Sequence, residues 1–262
     1  MTEVKRNGEP TLPRGAAIDI AGLTKVYRTG GKTTVAVDGL TLSIKAGEFF
    51  SLLGVNGAGK TTTIKMLSGL SAPTGGDATL GGFSVCKQPL AVRQIIHVSP
   101  QNTAVALNLT VKENLELMAG LWGKNGKESR AAADRVIRQM ELTKVADDRA
   151  KTLSGGWQRR LSIAMALITD PAILFLDEPT LGLDVLARRE LWTVISALKG
   201  QVTVVLTTHY LEEAEALSDR LGIMVGGKLR ALGTVAELCA RTGTEKLEDA
   251  FVALATEKGG TL

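Results

Sequence analysis

The chain has 262 residues, 44 % of them hydrophobic and 22 % charged, with a formal net charge of +4 and two cysteines. That balance suits a soluble protein with a sizeable core, one large domain or two small ones, and excludes a disordered chain or a disulfide scaffold. The positive charge is spread along the chain rather than clustered in a basic stripe with aromatics, so it reads as solubility and no nucleic-acid partner is expected.

Residues 1–16 are polar, hold two prolines and are expected to form a flexible N-terminal tail; the first ten lack the apolar stretch of a signal peptide. From Ala17 to about Gly54, short β-rich runs alternate with glycine-containing turns. Residues 49–53 form an apolar run ending in glycine, as a buried parallel strand would. A helix is expected from Lys60 to about Leu70, and another opened by Pro89 and running through Ile96. Residues 110–142 carry helical periodicity around Glu113–Leu121 and again from Ala131 to Leu142, with the Gly-Lys-Asn-Gly-Lys stretch at 123–127 between them. This reads as a helical insert.

Alternation then resumes: a strand at 172–176, a helix at 185–198, a strand at 202–206, a helix at 211–217, a strand pair at 223–225 and 229–232 joined by two glycines, and a last amphipathic helix near 245–255. Strands alternating with helices predict an α/β fold with a mostly parallel sheet. No apolar run approaches the roughly 20 residues of a membrane-spanning helix. Cys86 and Cys239 lack metal-like spacing and are expected to be reduced, buried thiols of a cytosolic protein.

Three stretches carry chemistry. Residues 54–61 satisfy G-x-x-x-x-G-K-[ST] between a predicted strand and a predicted helix. Gly54, Gly57 and Gly59 would let successive backbone amides face phosphate oxygens, with Asn56, Ala58 and Thr62 completing the loop and helix start. Lys60 supplies a point charge, and the Thr61 hydroxyl can ligate Mg²⁺. Asp177 and Glu178 end an apolar strand, where α/β sheets place ligands; the first can hold a metal ion and the second can polarise water. Finally, Leu-Ser154-Gly155-Gly156-Trp157-Gln is a Ser-Gly-Gly turn opening a basic helix, suited to an anion.

These stretches, with Ser-Pro-Gln101, Gly-Leu-Asp184 and Thr-Thr-His209 in order along the chain, resemble the ATP-binding cassette family. The resemblance implies a P-loop NTPase core with a mostly parallel sheet, an N-terminal antiparallel β subdomain and a helical insert at about 103–160. The ATPase domain would span 17–240, followed by a short helical tail at 241–262. It implies ATP and Mg²⁺ as ligands, with Thr61, Gln101 and Asp177 around the metal. Tyr27 would stack on adenine, Glu178 would activate water, and His209 would contact the γ-phosphate and orient Glu178. His97 has no implied role.

In this family the Ser154–Gly156 turn serves the nucleotide of a second cassette, so a head-to-tail dimer is implied, of like or related chains, with Asp184 at the interface. A separate membrane permease would anchor the protein to the cytoplasmic face of the membrane. Fewer than thirty residues follow Gly233, where sugar importers of the family usually carry a regulatory domain. The stretches at 109–115, 210–220 and 247–254 resemble the branch that exports drugs, antibiotics or sodium. An amino-acid importer subunit and a soluble, non-transport cassette ATPase are the alternatives. The family usually has glutamine where Trp157 stands. A shift of one residue turns a helix side chain by about 100°, so Gln158 does not inherit that contact. Trp157 either packs against the insert or lies against the ribose of the partner's ATP.

Overall fold

The computed structural model describes residues 15–256. The expected tail at 1–14 and the last residues of the C-terminal tail, 257–262, lie outside the described residues. Gly15 and Ala16, assigned to the tail above, are instead packed. Ala16 is buried, its amide donates to Thr203 Oγ1 at 3.1 Å, and its carbonyl accepts from the same hydroxyl at 2.8 Å.

The chain opens with two long strands, β1 (Ile18–Thr29) and β2 (Lys32–Ile44), rather than short alternating runs. They pair antiparallel around Gly30 and Gly31, both at positive φ as a tight hairpin requires. Next come β3 (Phe49–Leu53), α1 (Lys60–Leu67), the hairpin β4 (Gly75–Leu80) and β5 (Phe83–Ser84), then α2 (Pro89–Ile95) and β6 (Ile96–Ser99). The helix expected through Ile96 therefore stops one residue sooner and runs straight into a strand. The insert holds α3 (Val111–Leu121) and α4 (Gly126–Gln139), each opened by a capping box, Thr110 with Glu113 and Asn125 with Glu128. The Asn125 cap starts α4 five residues before the expected Ala131.

The buried helix α5 (Gly155–Leu167) returns the chain to the sheet. There follow β7 (Ile173–Asp177), α6 (Val185–Ser196), β8 (Thr203–Thr208), α7 (Leu211–Leu217), the hairpin β9 (Arg220–Val225) and β10 (Lys228–Gly233), then α8 (Val235–Thr242) and α9 (Leu247–Thr256). The terminal helix expected near 245–255 is α9, and α8 precedes it.

Two sheets organise these elements. One is antiparallel, in the order β2-β1-β4-β5; the other, in the order β10-β9-β3-β8-β7-β6, is parallel except for its edge strand β10. The parallel strands are buried on both faces. In β7, Leu174 and Leu176 pack with the helices of the insert and α6, whereas Ile173 and Phe175 face the cluster shared with the antiparallel sheet, α1 and α2. Strand periodicity divides one apolar run between two cores. A third cluster seats Leu238, Leu247 and Leu254 of α8 and α9 on Leu221, Ile223 and Ala231.

The cysteines depart from expectation: Cys86 is exposed and Cys239 is half-buried. No helix among the described residues is long and apolar enough to cross a membrane.

Candidate functional site

The loop from Gly54 to Gly59 joins the carboxyl end of β3 to the N-terminus of α1, whose first residues are Lys60, Thr61 and Thr62, at the edge where the parallel strands end. Gly59 caps the helix at φ 105°, and no side chain caps its first turn. A Cβ on Gly59 would overlap the Ala36 carbonyl oxygen of β2, and one on Gly54 would overlap the Met224 carbonyl of β9. The loop is thus glycine-built because backbone from two neighbouring strands closes on it. It forms a cavity of about 370 Å³, lined by Asn56, Gly57, Ala58, Gly59, Lys60, Thr61 and Thr62 together with Gln101, Glu178 and His209. Lys60 is buried, and its Nζ lies 2.6 Å from the Gly54 carbonyl oxygen and 3.1 Å from Glu178 Oε1.

The carboxylates divide as the chain leaves β7. Asp177 Oδ1 accepts from Thr61 Oγ1 at 3.0 Å and from Thr207 Oγ1 at 2.5 Å. Glu178 turns away through a left-handed backbone, φ 50°, and places Oε2 2.5 Å from His209 Nδ1. A non-glycine residue there costs about 1–3 kcal/mol. It is held by Thr207, whose carbonyl and hydroxyl oxygens both accept from the Glu178 amide, at 3.0 and 3.2 Å. The donor set fits a nucleotide and its ion: a glycine cradle, a buried ammonium, and a hydroxyl and a carboxylate oxygen already side by side at Thr61 and Asp177.

Other candidates lie apart. Tyr27 stands on β1, half-exposed, with Lys25 Nζ 5.2 Å from its ring centre, outside the residues lining the cavity. Ser154 and Gly155 are exposed at the start of α5, which no side chain caps. The turn abuts the Asp184 loop, since a Cβ on Gly156 would sit 3.1 Å from that of Ala187. Asp184 itself caps α6, accepting from the amides of Leu186 and Ala187 at 3.0 and 2.9 Å. Exposed Leu181, Val185 and Leu186 border the same surface.

Trp157 is half-buried against the core shared with the insert, and the Arg160 guanidinium lies over its ring at 4.7 Å. Gln158 turns inward and donates to the carbonyls of Ala150 and Leu153. His97 bonds Thr169 and faces Trp122, with burial lowering its pKa; nothing ties it to the cavity.

Sequence reasoning passed over three residues here. Thr207 braces both acids. Glu213 of α7 is fully buried and accepts from Trp192 Nε1 at 3.2 Å. Burial pushes its carboxyl above the usual glutamate range, opposed by the hydrogen bond from Trp192. Arg159 is buried behind the Gln101 loop, and burial lowers its pKa. Thr207 lies in the Thr-Thr-His209 stretch, where only the histidine has an expected role; no local signal marks the roles of Glu213 and Arg159.

A family profile described as "ABC transporter" matches residues 37–181. The chain is 43 % identical over 242 residues to the daunorubicin/doxorubicin resistance ATP-binding protein DrrA of Streptomyces peucetius, covering 92 % of this chain and 71 % of that protein. It is 48 % identical over 228 residues to human ATP-binding cassette sub-family A member 2, covering 86 % of this chain and 9 % of that protein. The chain thus spans about a tenth of the length of the long animal relatives it matches. Among solved structures it superposes on an ABC transporter ATP-binding subunit with a TM-score of 0.77 at 28 % identity, covering 90 % of this chain and 98 % of that one. It also superposes on a dimeric ATP-binding cassette in a post-hydrolysis state with ADP and Pi, with a TM-score of 0.74 at 28 % identity, covering 83 % and 98 %. The fold and site define a P-loop ATP-binding cassette. The chain belongs to the ABC transporter family.

Proposed function

We propose that this chain binds and hydrolyses ATP in a head-to-tail dimer and drives export through a separate membrane permease. The observation that carries the reading is the contact of Glu178 with both Lys60 and His209 at the mouth of the glycine loop. Lys60 and the loop amides hold the terminal phosphates. Glu178 takes the proton of the attacking water, and His209 holds the carboxylate in line while contacting the γ-phosphate. Thr61, Asp177 and Gln101 would hold Mg²⁺, which supplies charge neutralisation at the phosphates. Tyr27 supplies a face for the adenine ring.

The Ser154–Gly156 turn is not among the residues lining this chain's own cavity, and no side chain caps the first turn of α5, a helix start suited to an anion. The reading gives that anion as the γ-phosphate held by the second chain, with Trp157 beside it and Asp184 at the seam. Export is favoured over import by the likeness to the drug-resistance protein, and peripheral attachment at the cytoplasmic face of the membrane follows from the permease.

Ser154→Arg tests the arrangement. It should abolish phosphate release while a single chain still binds ATP with affinity within about twofold of wild type, since Ser154 would serve only the partner's site. Loss of ATP binding by the isolated monomer would refute the shared site.

A further inference from the structure

We propose that Arg159 is a positioning residue that locks the Ser154–Gly156 end of α5 to the loop carrying Gln101, so that events at one nucleotide site reset the other. The inference rests on the functional reading above. It begins with a buried cation that has no acidic partner among its hydrogen bonds. Arg159 directs one guanidinium nitrogen to the Pro100 carbonyl at 2.7 Å and the other to the Gln101 carbonyl. Its neighbour Arg160 is different, with Glu141 at 3.5 Å and Glu190 at 3.7 Å. Burying a guanidinium on two backbone oxygens carries a desolvation cost that an apolar side chain would avoid. What the guanidinium provides is geometry: its planar fork spans two successive carbonyls, which the point charge of lysine cannot do.

A second tie reinforces the first. Ser162, three residues on and so on the same face of α5, lies 3.1 Å from Ser99 across a buried hydroxyl pair. Residues 99–101 are therefore stitched to α5 at two adjacent levels, and Gln101 lines the nucleotide cavity just beyond the stitch. From Ser154 to Arg159 the helix rises only about 7–8 Å, and from Arg159 to Leu167 every residue of α5 is buried. A helix so packed moves as a unit. When its N-terminal turn engages the partner's phosphate, the displacement reaches the Gln101 carbonyl through Arg159.

The test uses the full chain with Arg159→Lys, Arg159→Met, Gln101→Ala and the double variant Arg159→Met/Gln101→Ala. Arg159→Met should slow turnover about tenfold, with KM for ATP held within about twofold, and the double variant should be no slower than Gln101→Ala alone. Amide exchange at residues 101–104 should slow when a non-hydrolysable ATP analogue is added to wild type, and should fail to slow in both Arg159 variants. Additive losses in the double variant, or wild-type turnover in Arg159→Met, would overturn the proposal. So would protection at 101–104 equal to wild type in Arg159→Lys, which retains the charge and the bulk of the fold. If the wild-type chain binds the analogue but releases no phosphate from ATP itself, the functional reading fails, while the exchange measurement still decides the role of Arg159.

Discussion

Glu178→Gln tests the centre of the site because it changes charge while keeping shape. In the ligand-free chain Glu178 meets Lys60 Nζ at 3.1 Å and His209 Nδ1 at 2.5 Å, with Glu178 and Lys60 both buried. A hydrogen bond to a charged group contributes about 1.5–3 kcal/mol and a neutral one about 0.5–1.5; Lys60 keeps its charge and loses only the ionised partner, so with the His209 contact weakened the change costs about 1–2 kcal/mol. For a domain of this size each kcal/mol moves Tm by about 2–4 °C, so the variant without nucleotide should melt about 2–8 °C lower. The same change frees Lys60 from its carboxylate partner and favours the phosphates. Saturation with ATP at a hundred times Kd adds about 2.7 kcal/mol and should offset the loss. Loss of the general base should slow phosphate release by about 10²–10⁴ and accumulate an ATP-bound dimer. Thermal melting with and without Mg-ATP, a phosphate-release assay and size-exclusion chromatography read the three effects. Release within about threefold of wild type would refute Glu178 as the base. An unchanged ligand-free Tm would refute the energetic weight given to the Lys60 contact.

Glu213→Gln should show a stability difference that depends on pH. Because burial holds the carboxyl above its usual range, the folded chain keeps a proton that the unfolded chain gives up above about pH 4.3, and wild-type stability is lost as pH rises through the folded value. Glutamine lacks that penalty and can still accept from Trp192, so the Tm of Glu213→Gln minus that of wild type should rise between about pH 4 and pH 8; a flat difference refutes the buried neutral acid. Trp157→Ala should lower Tm through the lost Arg160 contact, worth about 0.5–2 kcal/mol, and should weaken ATP binding to the closed dimer by about tenfold if the ring also touches the partner's ribose. Unchanged affinity leaves Trp157 as a packing residue alone.

What could be read from sequence was whatever the chain holds in consecutive residues. The glycine loop, the paired acids and His209 are local signals, and the cavity brings them together as their order suggested. The long hairpin of β1 and β2 was obscured because its register shifts between Ile20 and Leu23 and again near Lys25, breaking the alternation that marks a strand. Strand β6 was hidden because α2 runs from Ile95 straight into Ile96 with no turn residue between. The helix α8 did leave a mark, since Thr234 and Glu237 form a capping box. The bracing roles of Thr207, Glu213 and Arg159 left none, although Thr207 stands in the Thr-Thr-His209 stretch. Each acts on a residue at least 21 positions away, and only the folded chain brings the partners together.

Two adjacent acids cannot both face the same cavity from a regular strand, because successive side chains point to opposite sides. The chain escapes this by leaving the strand at Asp177 and taking a left-handed residue at Glu178, a conformation glycine would adopt freely. Glycine would relieve the strain and lose the carboxylate. The glutamate is kept in place from outside its own segment, by a hydroxyl on the neighbouring strand that accepts from its amide while donating to Asp177. Two residues further along, on the same side of the chain, β8 delivers His209 to the other end of the glutamate. The spacing from Thr207 to His209 thus fixes both the backbone and the carboxylate of Glu178. It explains why the sequence here needs a threonine and a histidine two apart: valine at 207 would fill the same space and keep the carbonyl bond to the Glu178 amide, yet leave Asp177 without that donor and the Glu178 amide without its second acceptor.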